Sequence, residues 1–170
     1  MKVALTGHRP QRLGLPEDIR DVQWSKIEMW LILEIDNLYN HSVKRGEELT
    51  AYCGMASGSD IKFGHILSVM KYFPCYNNIK LSCVLPCKDY NASNQYYDPI
   101  KEMADEWIEL ADEFYKGCDD ARDQYMVDHC DVLIAVWDGI KSGGVWSTIR
   151  KAQKAGKQII YCPTEILKRK

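Results

Sequence analysis

No hydrophobic run in this 170-residue chain is long enough to cross a bilayer. The opening residues, "MKVALTGHRP", read as a strand and its exit loop rather than as a secretory leader. Together these predict a cytoplasmic protein with no membrane partner. Basic charge is not in excess either: 22 Lys and Arg stand against 24 Asp and Glu, a formal net charge of −2. No global field holds nucleic acid, so any such contact must be local, and nucleic acid is not the expected partner. The seven cysteines are odd in number and form no CxxC pair. Cys83 and Cys87, with Cys75 nearby, have no histidine to complete a zinc set. Cys53, Cys83 and Cys162 fall in expected strands and Cys130 at a helix end, the pattern of reduced, buried thiols. No metal or cofactor is expected. Repeats, low-complexity tracts and linkers are also missing, which predicts one domain over residues 1–170 with enough chain for a real core.

What is present alternates between strand and helix. Residues 2–5 form a short apolar strand. Ile27, Leu31, Ile35 and Leu38 repeat at three and four, predicting a helix over 17–40 that Pro16, Glu17 and Asp18 would start. "LTAYC" (49–53), "IKLSCVLP" (79–86), "DVLIAVWD" (131–138) and "QIIYC" (158–162) read as further strands, with 131–138 the most apolar and therefore central. Helices are expected over 60–73, 99–115, 120–130 and 145–155, the last closed by Gly156. The 99–115 helix carries Met103, Trp107, Leu110 and Phe114 on one side, an apolar face through which two copies could pair as a homodimer. Strand–helix alternation implies crossover connections. The expected class is α/β: a Rossmann-like, doubly wound, mostly parallel sheet of about five strands with helices on both faces.

Ligands of such sheets bind beyond the carboxyl ends of the strands. Three of those ends here carry glycines with hydroxyls and charges. They are "TGHR" (Thr6, Gly7, His8, Arg9), "GMASGSD" (with Gly54, Gly58, Ser59, Asp60) and "DGIKSGGVWST" (with Asp138, Gly139, Gly143, Gly144, Thr148). Glycine lets a backbone approach an anion, and N–H groups at a helix start bind it; tight turns alone also enrich glycine. His8 suits a phosphate or ribose contact, acid–base work, or a bond to a loop carbonyl. Arg9 suits a phosphate or a surface ion pair. Asp60 suits the N-cap of a helix starting at 61 or a ribose hydroxyl. Asp138 could face a ligand, Trp146 could stack on a base or pack, and Tyr96 and Tyr97 could wall a pocket. His65 and Trp137 read as packing residues, and Asp131 as structural.

"TGHRPQRLG", "GMASGSD" and "MVDHCDVLIAVWDGIKSGGVWSTIRKAQKAGKQII" resemble the SLOG superfamily, and within it the YpsA-like branch, over residues 3 to about 162. The superfamily is similar to the LOG phosphoribohydrolases and to the Rossmann-like domain of DprA. The resemblance implies a Rossmann-like fold holding a nucleotide or nucleotide-derived ligand at the glycine-rich loops. It also brings in Arg122, since the YpsA-like pattern has an arginine before Met-Val. LOG hydrolases carry PGGxGTxxE. Here Gly143 and Gly144 match the glycine pair and Thr148 falls near the threonine, but Ile149, Arg150 or Lys151 takes the place of the glutamate. An arginine cannot stabilise an oxocarbenium ion as a carboxylate does. Asp60, Asp138 or Glu28 could supply one from elsewhere. The expected function is therefore a nucleotide-binding or sensing module. One alternative is an N-glycosidic enzyme. A second is a DprA-like single-stranded DNA binder using Arg9, Arg12, Lys62, Arg122 and Lys141.

Overall fold

Five apolar runs and one strand that the sequence hides build a six-stranded sheet in the computed structural model, which describes residues 1–167. The elements follow in the order β1 (Lys2–Gly7), α1 (Pro10–Leu13), α2 (Ser25–Lys44), β2 (Leu49–Cys53), α3 (Ser59–Met70), β3 (Ile79–Leu85), α4 (Tyr97–Met103), β4 (Glu106–Glu109), α5 (Cys118–His129), β5 (Val132–Val136), α6 (Gly143–Lys154), β6 (Gln158–Tyr161) and α7 (Thr164–Leu167). The strand order is β4-β3-β2-β1-β5-β6, and every pairing is parallel. The chain winds outward from β1 to β4, then returns to the other side of β1 with β5. The order therefore reverses between β1 and β5, where Thr6 lies beside Ala135 and Gly7 beside Val136.

Both faces of the sheet are covered, and the pleat divides the core accordingly. Val3, Leu5, Ala51, Cys53, Ile134 and Val136 join α2 and α3 in the larger cluster. Their neighbours Ala4, Tyr52, Val84 and Leu133 pack with Met126 and Val127 of α5, while Ala135 meets Val145 and Ile149 of α6. A strand buried on both faces reads as continuous apolar sequence, which is why β5, "VLIAV", is buried at every residue. Among the described residues, no helix is long and apolar enough to cross a membrane.

Two expectations fail here. The segment 99–115 is not one helix, so the apolar face invoked for pairing two copies does not exist in that form. Helix α4 ends at Met103, and the next residue, Ala104, is already extended with ψ of 133°. The Asp105 N–H then donates to Leu81 O at 2.8 Å, and its carboxylate accepts from the Leu81 N–H at 2.8 Å. The open edge of β3 thus captures residues 106–109 as a strand, because unpaired edge groups outweigh a helical spacing of apolar side chains. The sheet accordingly has six strands rather than about five.

The long second helix starts at Ser25, not near Glu17. Residues 14–24 fold irregularly and end in a single 3-10 turn capped by Asp21, whose carboxylate accepts from the Gln23 N–H. Tertiary contacts override the local start signal. Ile19 and Trp24 are buried, Trp24 Nε1 donates to Pro16 O at 2.9 Å, and Tyr96 Oη donates to Asp18 at 2.6 Å.

Candidate functional site

The three glycine-bearing loops converge. A cavity of about 380 Å³ opens beyond the carboxyl ends of β1, β2 and β5, at the point where the strand order reverses. Of the residues singled out from the sequence, Thr6, Gly7, His8, Arg9, Asp60, Arg122 and Gly144 line it. Gly54, Gly58, Ser59, Asp138, Gly143 and Thr148 sit one contact behind. Gly139, in the turn after β5, is not among the cavity-lining residues, and a Cβ built on it would come within 3.9 Å of Thr164 Cγ2.

The glycines at the first two loops make room for the protein's own atoms. A Cβ on Gly7 would fall 2.4 Å from Ser59 Cβ, so β1 can approach the start of α3 only without a side chain. Ser59 Oγ then donates to His8 O at 2.8 Å, fixing the exit of β1. A Cβ on Gly54 would lie 2.7 Å from Asp60 Oδ2 and 3.0 Å from Arg122 Nη1. Asp60 is not the N-cap of α3: Gly58 is, and Asp60 lies in the first turn, where its Oδ2 accepts from the Ala56 N–H at 3.2 Å.

Arg122 is the floor of the site. Its Nη1 donates to Gly54 O at 2.6 Å, its Nε to Asp123 Oδ1 at 2.9 Å, and its Nη2 lies 3.7 Å from Asp119. Burial disfavours its charge, but the Asp123 and Asp60 carboxylates overcome this and hold it above the ordinary arginine range. Asp60 experiences the opposite balance. Burial pushes it up to about 6, with Arg122 pulling only partly the other way.

At the rim, Asp138 ties the third loop to the first. Arg12 donates to it through Nε at 2.8 Å and Nη2 at 3.3 Å, and the Ile140 N–H adds a bond at 3.0 Å. Although burial works against its charge, these donors and His8 bring Asp138 down to about 2. His8 Nε2 lies 3.1 Å from Asp138 Oδ1, without the alignment of a hydrogen bond. Burial lowers the His8 pKa, and Asp138 opposes that shift. His8 is thus a buried imidazole on the cavity wall, its charged form disfavoured by burial and favoured by Asp138. Helix α6 begins at Gly143; its first N–H groups have no partner within the helix, and Ser142 gives them no side-chain cap.

Several sequence-based assignments change. Lys62 is buried, paired with Glu28 and bonded to Ile19 O at 2.9 Å, so neither it nor Glu28 serves the cavity. Tyr96 and Tyr97 belong to the larger core cluster rather than to a pocket wall. The tyrosine at the site is Tyr90, which accepts from Arg9 Nη2 at 3.2 Å and presents its ring 5.7 Å from the Arg122 guanidinium. Trp146 stacks on Trp137 with centroids 5.3 Å apart. Thr148 turns its hydroxyl to Asp123 Oδ2 at 3.0 Å.

Sequence reasoning missed Asp119 and Asp123. The signal was available: Asp119, Arg122, Asp123 and Met126 recur at three and four, one face of α5, and all four line the cavity. Although three aspartates line it, no group of His, Cys, Asp or Glu among the described residues is arranged to hold a metal ion. No family model matches the chain, and no curated protein matches it.

Proposed function

We propose that the crevice binds a nucleotide or nucleotide-derived ligand bearing a single phosphate, and that the protein works as a ligand-binding or sensing module. The observation that carries this is a charged cavity at the point of strand reversal, rimmed by the uncapped N-terminus of α6. The residue resemblance to the YpsA-like branch supports the same ligand class.

The charge balance limits the phosphate count. Three arginines and three aspartates line the cavity. Arg12 is neutralised by Asp138, and Arg122 by Asp123 and Asp119. Arg9 alone of the three makes no ion pair among the described residues. In this reading one phosphate lies between Arg9 and the N–H groups of α6, and the aspartates meet sugar hydroxyls. A triphosphate would meet uncompensated carboxylates. The same balance disfavours the DNA-binding reading, which also loses Lys62 to burial.

A second reading rests on Asp60. A buried carboxyl held at about 6 can exchange a proton near neutrality, as N-glycosidic chemistry requires. Thermal-shift screening against nucleoside mono-, di- and triphosphates, ADP-ribose and cyclic nucleotides, followed by chromatography, tests both. Monophosphates should stabilise the protein most and return intact. Release of a free base or sugar phosphate selects the enzyme reading. No stabilisation by any of them refutes the site.

A further inference from the structure

A second depression of about 280 Å³ adjoins the crevice and shares Arg9 and Asp119 with it. Its other walls are Ser57, from the loop after β2, Tyr90 and Asn91, from the segment after β3, and Phe114, from the loop between β4 and α5. The two lobes differ in chemistry. Three arginines and three aspartates line the crevice, whereas the side lobe adds two aromatic rings to the Arg9 and Asp119 that it shares.

Tyr90 lines the side lobe and contacts Arg9 and Arg122 of the crevice, so its position is held from several directions. Its hydroxyl accepts from Arg9, and its ring lies over the Arg122 guanidinium. The residues on either side, Asp89 and Asn91, both have left-handed backbones, with φ of 55° and 58°. Asp and Asn enter this conformation more readily than other side chains, and tertiary contacts hold the segment in it. Asn91 supplies them: its Nδ2 donates to Met55 O at 2.9 Å and lies 3.3 Å from Ser57 Oγ. The carboxamide is therefore spent on anchoring the segment, and the lobe meets a ligand through ring faces. Phe114, at 69% exposed, is an aromatic ring that the fold leaves uncovered beside this lobe.

We propose that the side lobe takes the aromatic base of the ligand, with Phe114 as its stacking surface and Tyr90 as the divider that orients base and phosphate into separate lobes. This rests on the reading of the crevice as a nucleotide site, because Arg9 and Asp119 belong to both. A ligand spanning the two has an anionic, hydroxylated end and a flat aromatic end, which is the chemistry of a nucleoside monophosphate.

The test is calorimetric titration of the whole protein with ribose 5-phosphate and with each ribonucleoside 5′-monophosphate, comparing wild type, Phe114→Ala and Phe114→Trp. Because the Phe114 ring is exposed, both variants should melt with the wild type. Wild type should bind at least one nucleotide about 10-fold or more tightly than ribose 5-phosphate, the range of one base–aromatic stack. Phe114→Ala should erase that preference and leave ribose 5-phosphate affinity unchanged, and Phe114→Trp should keep it. Equal affinities in wild type, or a preference that survives Phe114→Ala, would overturn the base lobe while leaving the crevice reading intact. If wild type binds neither ribose 5-phosphate nor any nucleotide, the crevice reading itself fails, and the base lobe with it.

Discussion

Replacing Arg122 by methionine will destabilise the protein by about 3–5 kcal/mol, the usual consequence of deleting one member of a buried ionic cluster. Methionine keeps most of the apolar stem, so the loss isolates the guanidinium. Without it, Gly54 O loses a 2.6 Å hydrogen bond, and the Asp123 carboxylate loses one of 2.9 Å. Asp60, a buried carboxyl on the cavity lining, loses its main countercharge. For a chain of this size the loss corresponds to a melting-temperature fall of roughly 6–20 °C. Adding Asp60→Asn to Arg122→Met should recover part of it, because the uncompensated buried charge then disappears. A single variant that melts with the wild type would show that Arg122 is not the centre of the cluster.

The second large effect is a pH dependence owed to Asp60 alone. Burial raises its carboxyl from the ordinary aspartate value of 3.8 to about 6 in the fold. Between those values the unfolded chain has released this proton and the folded chain still holds it. The contribution of Asp60 to stability is therefore fully present below pH 4 and is lost as the pH rises to 6. The loss amounts to about 3 kcal/mol. His8, shifted the other way by burial, gains stability as pH rises towards 6.5, but it is present in both proteins of a comparison with Asp60→Asn and largely cancels. Asp138, held at about 2, acts below this window. Urea unfolding of wild type and Asp60→Asn at pH 4 and pH 6.5 should give a difference that moves against the wild type as pH rises. Parallel curves would mean that Asp60 is not buried as a strained carboxyl.

Much of the scaffold was legible because two-sided burial writes itself into sequence. The run "VLIAV", rich in β-branched residues and apolar throughout, reads as an internal strand, and it is β5. The glycine-bearing loops sat at strand ends, and the parallel topology brought those ends to one crevice. What stayed hidden depended on contacts distant in sequence. "EWIE" has no strand signature of its own and becomes β4 only because β3 offers it an edge. The start of α2 was masked by Ile19 and Trp24, which fold into the core instead of extending the helix.

The glycines carried a signal with two meanings. Gly7 and Gly54 are open to Ser59, Asp60 and Arg122, and so serve packing, whereas the position of a Cβ on Gly144 meets nothing within 4 Å. No local pattern separates those cases. The acidic lining from α5 was written at helical spacing, but Asp119 and Asp123 resemble ordinary solvated residues until α5 is placed against β1.

Gly144 therefore offers the most direct test of the proposal that the crevice holds a nucleotide. It lines the cavity at the start of α6 with an ordinary backbone φ, unlike Gly143 at 83°. A side chain there meets open space, so Gly144→Asp should fold and melt as the wild type does. Its carboxylate would occupy the place assigned to the phosphate. Calorimetric titration of both proteins with the nucleotide giving the largest thermal shift should show one-to-one binding to the wild type and a loss of about 100-fold or more in the variant, the scale of a like charge placed in a desolvated site. Equal affinity for the two proteins would place the ligand elsewhere and contradict the account.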